Sequence, residues 1–219
     1  MVACRRRCNP VNNGSVTTKT AGYSAISSYS RVEILHHIQE RSPRTVAELV
    51  SATKLHANTV REHLQRLIDD GYVVSEIEHR TTRGRPRVLY SVADGAEASS
   101  PVQRRKVKEA AQRGDLMRRV LPSELPPELT TEALHQVDAL VENLVDAGFD
   151  PIVDEADLTI DLTPCAHAEV QSAHRQMLCS VHLGLMQGVI AQAGGPLTVD
   201  GMRSSCDPRD CIVQLSARG

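Results

Sequence analysis

Four cysteines in the C-terminal part of the chain, Cys165, Cys179, Cys206 and Cys211, are the residues best suited to chemistry. Thiolates supplied by a loop, a helix and two strand ends can converge on one soft metal or on an iron–sulfur cluster. Thirteen, 26 and 4 residues separate them, and no gap is the Cys-x-x-Cys of a zinc knuckle, so the spacing indicates a site without naming its metal. Cys165 is expected just before a long helix, whose positive end favours a thiolate. Cys206 and Cys211 flank Asp-Pro-Arg-Asp, a turn able to bring both sulfurs to one point. His182, three residues after Cys179, lies on the same helix face and is an alternative ligand; His167 and His174 are expected at the surface. The plainer alternative is buried thiols acting as small apolar residues. A Cys179–His182 nucleophile pair lacks an orienting group and an oxyanion site, so no enzyme is expected. Cys4 and Cys8 stand in Cys-Arg-Arg-Arg-Cys with no further ligand near in sequence.

A second set of residues suits nucleic acid. Asn58, Thr59, Arg61, Glu62, His63 and Arg66 fall on the expected outer face of one helix. Asn58 and Arg61 can present bidentate hydrogen bonds to base edges, whereas Thr59 and Arg66 suit phosphates; capping of the helix is an equal alternative for Asn58. Arg80, Arg83, Arg85 and Arg87 follow within eight residues, around Gly84 and Pro86. Arginines at a hairpin tip can enter a minor groove or grip phosphate.

These groups need a scaffold, and the apolar spacing predicts one. Ser30 and Glu33 have capping-box spacing before Val32, Ile34, Leu35 and Ile38; Thr45 and Glu48 repeat it before a short helix. A third helix is expected from Ala57 to Asp70, on Val60, Leu64, Leu67 and Ile68, stopped by Gly71. Tyr72–Ile77 and Val88–Val92 then alternate as the two arms of a hairpin. Three helices and a hairpin with a cationic tip form the winged helix-turn-helix plan, whose second paired helix enters the major groove. Farther on, a basic helix (102–120), an apolar helix (131–147), two short strands (149–153 and 158–162), a long helix (167–193) and two strands (197–202 and 212–215) are expected. The fold class is therefore α+β. Its expected parts are a disordered arm (1–27), a winged helix-turn-helix (28–93), a linker and basic helix (94–129) and a cysteine-bearing α+β domain (130–219).

Charge follows the same division. Residues 1–120 carry 21 basic and 12 acidic side chains, and residues 121–219 carry 4 and 15, so one half suits a polyanion and the other does not. With one Phe, four Tyr and no Trp, stacking platforms for single strands are excluded, and double-stranded DNA is the expected target. No apolar run reaches the roughly 20 residues of a membrane span. The expected compartment is the cytosol, where a disulfide framework is disfavoured.

Thr59-Val60-Arg61-Glu62-His63-Leu64 and Gly84-Arg85-Pro86-Arg87 resemble the ArsR/DeoR-type winged-helix regulators. Leu162-Thr163-Pro164-Cys165, Cys179-Ser180-Val181-His182-Leu183-Gly184-Leu185 and Asp210-Cys211-Ile212-Val213 resemble the SufR-type iron–sulfur regulators. The resemblance covers most of the chain after residue 28. It implies a homodimeric repressor of iron–sulfur assembly genes, bound to a pseudo-palindromic operator. It also implies a cluster on the C-terminal cysteines, 4Fe–4S first, with 2Fe–2S or zinc as alternatives. His56-Ala57 stands where the family often has Ser-Pro, and the later cysteines are spaced differently, which leaves Cys206 and His182 both open as fourth ligand.

Overall fold

The computed structural model describes residues 28–79, 86–95, 100–121, 129–165, 172–204 and 210–218. Cys4, Cys8, Arg80, Arg83, Arg85, His167, Cys206 and the Pro126-Pro127 break lie outside the described residues.

The N-terminal unit is built from α1 (Tyr29–Glu40), β1 (Arg44–Thr45), α2 (Val46–Thr53), α3 (Ala57–Asp69), β2 (Val73–Ile77) and β3 (Val88–Val92). At α2 the expected capping box is formed: Thr45 accepts from the Glu48 N–H, and the Glu48 carboxylate takes the Thr45 N–H at 2.7 Å. At α1 it is not. The helix starts two residues earlier, at Tyr29, with Ser28 as N-cap, so Ser30 falls inside the first turn. Helix α3 stops where Gly71 takes φ +88°, letting Tyr72 N–H reach Leu67 O at 2.9 Å. Sequence patterning missed β1, whose two residues pair with Leu89 and Tyr90 and make the hairpin a three-stranded antiparallel sheet, β1-β3-β2.

Helices α4 (Pro101–Val120) and α5 (Thr131–Asp146) form an antiparallel pair. Its charges interlock: Arg118 grips Asp138 at 2.8 and 3.0 Å, Lys106 meets Asp146 at 3.4 Å, and Arg113 meets Glu142. Part of the basic excess of the first half is therefore paired with acids of the second. Short strands β4 (Ile152–Asp154) and β5 (Thr159–Asp161), helix α6 (Ser172–Ala193), and β6 (Leu197–Ser204) with β7 (Cys211–Ala217) complete the chain. The four strands make one antiparallel sheet, β4-β5-β7-β6. The end strands run longer than their apolar alternation, because ladder bonding continues through polar residues to Ser204 and Ala217.

One apolar cluster runs through both halves, from Leu35, Ile38, Leu64 and Leu67 to Leu140, Leu144, Ile160 and Met186, all fully buried. Two polar side chains inside it join elements. Asn143 of α5 donates to the Tyr72 hydroxyl at 3.0 Å. Gln136, 1 % exposed, donates to the carbonyls of Ile190 and Leu197 and accepts the Leu197 N–H.

Candidate functional site

The residues expected to face DNA are organised by the start of α3. Its N-cap is His56, whose Nδ1 accepts the Asn58 N–H at 3.2 Å, so an imidazole does the work of the serine expected there. Asn58 is thereby released from capping; its Oδ1 instead accepts from Arg61 Nη1 at 3.0 Å, and both side chains are exposed. This bond holds the guanidinium along the helix, with other N–H groups still directed outward. Arg66 is exposed and paired to Glu62 at 2.8 Å, a solvated ion pair that is readily exchanged for a phosphate. Thr59 is half-buried.

His63 departs from the expected outer face. It is half-buried, its Nδ1 is enclosed without a hydrogen-bond partner, and burial first, then Arg31, lowers its pKa. The reason is positional: with Val60, Leu64 and Leu67 it completes an i, i+3, i+4, i+7 stripe, the inward edge of α3. Arg87, at the foot of the wing, is exposed. A groove of about 690 Å³ is lined by Ala47, Val50, Ala57, Arg61, Arg87 and Tyr90, among others, so a helix arginine and a wing arginine stand on one side of the molecule.

The C-terminal site is assembled by strand register. Asp161 of β5 pairs with Ile212 of β7, and Leu162 N–H donates to Cys211 O at 2.8 Å. That pairing sets Cys165, four residues past β5, beside Cys211 at the start of β7. Helix α6 lies across them and contributes Cys179. All three are free thiols and half-buried. Burial, followed by the neighbouring Cys165 and Cys179, pushes the Cys211 thiol up to about 12, and Cys211 donates a hydrogen bond to Cys165. Burial, then Cys165, also raises Cys179, while Arg175 one turn earlier works in the opposite sense. The described part of α6 begins at Ser172, and the expected helix start beside Cys165, at about 167, lies outside the described residues.

His182 is 3 % exposed and stacked on Phe149, with ring centroids 4.9 Å apart and planes at 13°. His174 is half-buried against Tyr29 rather than a free surface residue. Among the described residues, no three His, Cys, Asp or Glu side chains stand close enough to ligate one ion. The three thiols adjoin one another without closing on a single point. Sequence reasoning missed Arg175; its i−4 spacing from Cys179 was the available signal.

Residues 28–75 match the family described as bacterial regulatory protein, arsR family. A helix-turn-helix of this kind indicates a DNA-binding transcription regulator rather than an enzyme. Comparison with curated proteins and with solved structures gave no match. Among the described residues, no helix is long and apolar enough to cross a membrane.

Proposed function

We propose that this protein is a homodimeric repressor whose residues 28–93 read a pseudo-palindromic operator in double-stranded DNA. Its affinity for that operator is set by an iron–sulfur cluster on Cys165, Cys179, Cys211 and Cys206. The carrying observation is the meeting of three thiols, from the end of β5, from α6 and from β7, in a chain that bears an arsR-type helix-turn-helix.

The donor set fits a cluster. Its described members are thiols, all half-buried, and soft thiolates are the ligands that iron–sulfur clusters take. Cys206 follows Ser204 by two residues, and Ser204 is the Cα partner of Cys211, so about 7 Å of extended chain tethers the fourth sulfur to the site. His182, stacked in the core, is the weaker choice. A bound cluster supplies one-electron redox chemistry and sensitivity to oxidants. The chain's part is to give up protons at Cys179 and Cys211 and to keep the sulfurs half-shielded from water.

Dimerisation is supported by Leu116, Met117, Val120 and Leu121, each at least half exposed at the end of α4. A regulator of this type acts where the chromosome is, in the cytoplasm. Its target genes, by the SufR-type resemblance, are those of cluster assembly.

The test is the protein purified without oxygen. A brown protein with broad visible absorption, containing iron and sulfide, is expected. Cys165→Ser and Cys179→Ser should each lose that absorption and stay folded. A colourless protein holding stoichiometric zinc, with variants whose C-terminal half unfolds, would overturn the cluster assignment.

A further inference from the structure

Helix α6 is held from two sides. One side presents Cys179 to the other thiols. Along the other, the winged-helix unit and the start of the linker after it rest at four places. The Tyr29 ring packs on His174, with centroids 4.5 Å apart. Gln39 Nε2 donates to Val181 O at 3.2 Å. The Ala93 carbonyl lies over Gly188, where a Cβ would stand 3.0 Å from its oxygen. Gly95 lies over Gln192, whose amide nitrogen would be 2.6 Å from an added Cβ.

At about 100° per residue, positions 174, 181, 188 and 192 fall within roughly 40° of one another, and position 179 lies roughly 150° around the helix. The pairs Tyr29–His174 and Gln39–Val181 ascend together, so α1 and α6 run in the same direction. Gly184 and Gly188 permit this approach: a Cβ on Gly184 would run into the Gln39 amide. The same helix is packed on the reading helix, since Val32, Leu35 and Ile38 lie in one cluster with Val60, Leu64 and Leu67 of α3, all at most 1 % exposed.

We propose that α6 is the lever between the thiol site and the DNA-reading helix, and that Gln39 with Gly184 and Gly188 forms its coupling joint. The inference rests on the reading that the cysteines hold a cluster governing DNA affinity. A shift of Cys179 toward or away from its partner sulfurs moves α6 as a rigid rod. The Gln39 bond and the glycine contacts pass that movement to α1, and the shared core passes it to α3. Close-packed interfaces respond by stepping between arrangements rather than by stretching, so a small displacement is carried through.

The test uses the full-length protein and a duplex recovered from a random pool by that protein. The quantity read is the ratio of DNA dissociation constants between the reduced, iron-free form and the form reconstituted anaerobically with iron and sulfide. For the parent protein the ratio should be about tenfold or more. Gln39→Met keeps the length of the side chain and removes the amide. Gly184→Ala displaces the amide while favouring the helix, so a merely structural glycine would leave the ratio untouched. Both variants should regain the parent's visible absorption, melt near the parent, and show a ratio below about twofold. A parent-like ratio in both would overturn the joint while leaving the regulator intact. Loss of cluster uptake in both would also overturn it, because the seam would then be scaffold for the site. A ratio near one in the fully reconstituted parent would instead bring down the functional reading, and the lever with it.

Discussion

In the proposed reading, two kinds of residue-level contact carry DNA recognition, and they should fail differently. Arg61, bonded to Asn58 on the exposed face of α3, is the residue proposed to meet base edges. Arg61→Ala should cost about 1–3 kcal/mol on the preferred duplex and relax preference at one position. Arg87→Ala, at the wing foot, should weaken binding on most sequences and lower the salt slope by about one. Titrations of preferred and scrambled duplexes at several salt concentrations separate the two, and equal, sequence-independent losses would refute the assignment of Arg61. A second residue-scale consequence follows from burial. Tyr72 is pushed up to about 12 by burial first, and Cys211 to about 12 by burial and its thiol neighbours. For such acids the folded state keeps a proton that the unfolded state has released. The stability they contribute is therefore complete below the unfolded pKa and is lost as pH rises through about 9 to 12 for Cys211 and about 10 to 12 for Tyr72. Urea midpoints of the metal-free protein should fall across that window. Cys211→Ser should flatten the first part of the fall and Tyr72→Phe the second.

At the scale of elements, stability hangs on a few side chains that close backbone groups no ladder can close. Thr45 begins α2 through the capping box, and it also belongs to β1, so one residue fixes a helix start and a sheet edge. Thr45→Ala should cost about 1 kcal/mol, measured by denaturant midpoint. Gln136 carries more. Its amide makes three bonds to the main chain of α6 and β6, all buried. Gln136→Leu preserves volume but removes the acceptor of the Leu197 N–H and one donor from each of two carbonyls, Ile190 O keeping the Gly194 N–H at 3.3 Å, and should cost about 2–4 kcal/mol. A loss under 1 kcal/mol would mean that water replaces the amide. The α4–α5 pair belongs to the same scale. Its bidentate Arg118–Asp138 contact and the His135–Asp115 contact at 3.1 Å align two helices of opposite charge. The long basic helix is therefore not simply another DNA-binding surface.

At the scale of the whole molecule, the apolar core is continuous from α3 through α1 to α6 and the C-terminal sheet. Heat or denaturant should therefore unfold the metal-free chain in one transition, with coincident helix and tyrosine signals. Separate transitions for the two halves would show that the seam between α1 and α6 contributes little. The exposed apolar strip ending α4 lies away from this core. In the proposed homodimer, Val120→Lys should convert the protein to monomers by sedimentation and reduce operator affinity, because two half-sites are then read by unlinked chains.

Local pattern was enough to recognise the winged helix-turn-helix. The Thr45–Glu48 box, the Gly71 stop and the alternation at Val88, Tyr90 and Val92 each depend on neighbours within a few residues, and each places its element within one or two positions. The cysteines, too, announced themselves by type. Three features were settled only in three dimensions. His63 turned inward because α3 must bury a stripe wider than its aliphatic residues. The β5–β7 register brought Cys165 to Cys211, a pairing between residues 46 positions apart that no local periodicity encodes. The docking of α1 along α6 joined what charge and composition divide into two halves. Its trace in the sequence is the Gly-x-x-x-Gly spacing at 184 and 188, which permits a close approach but does not say to what. Periodicity determines which face of an element is apolar; the partner of that face is chosen by packing among distant segments, and that choice is made only when the chain closes on itself.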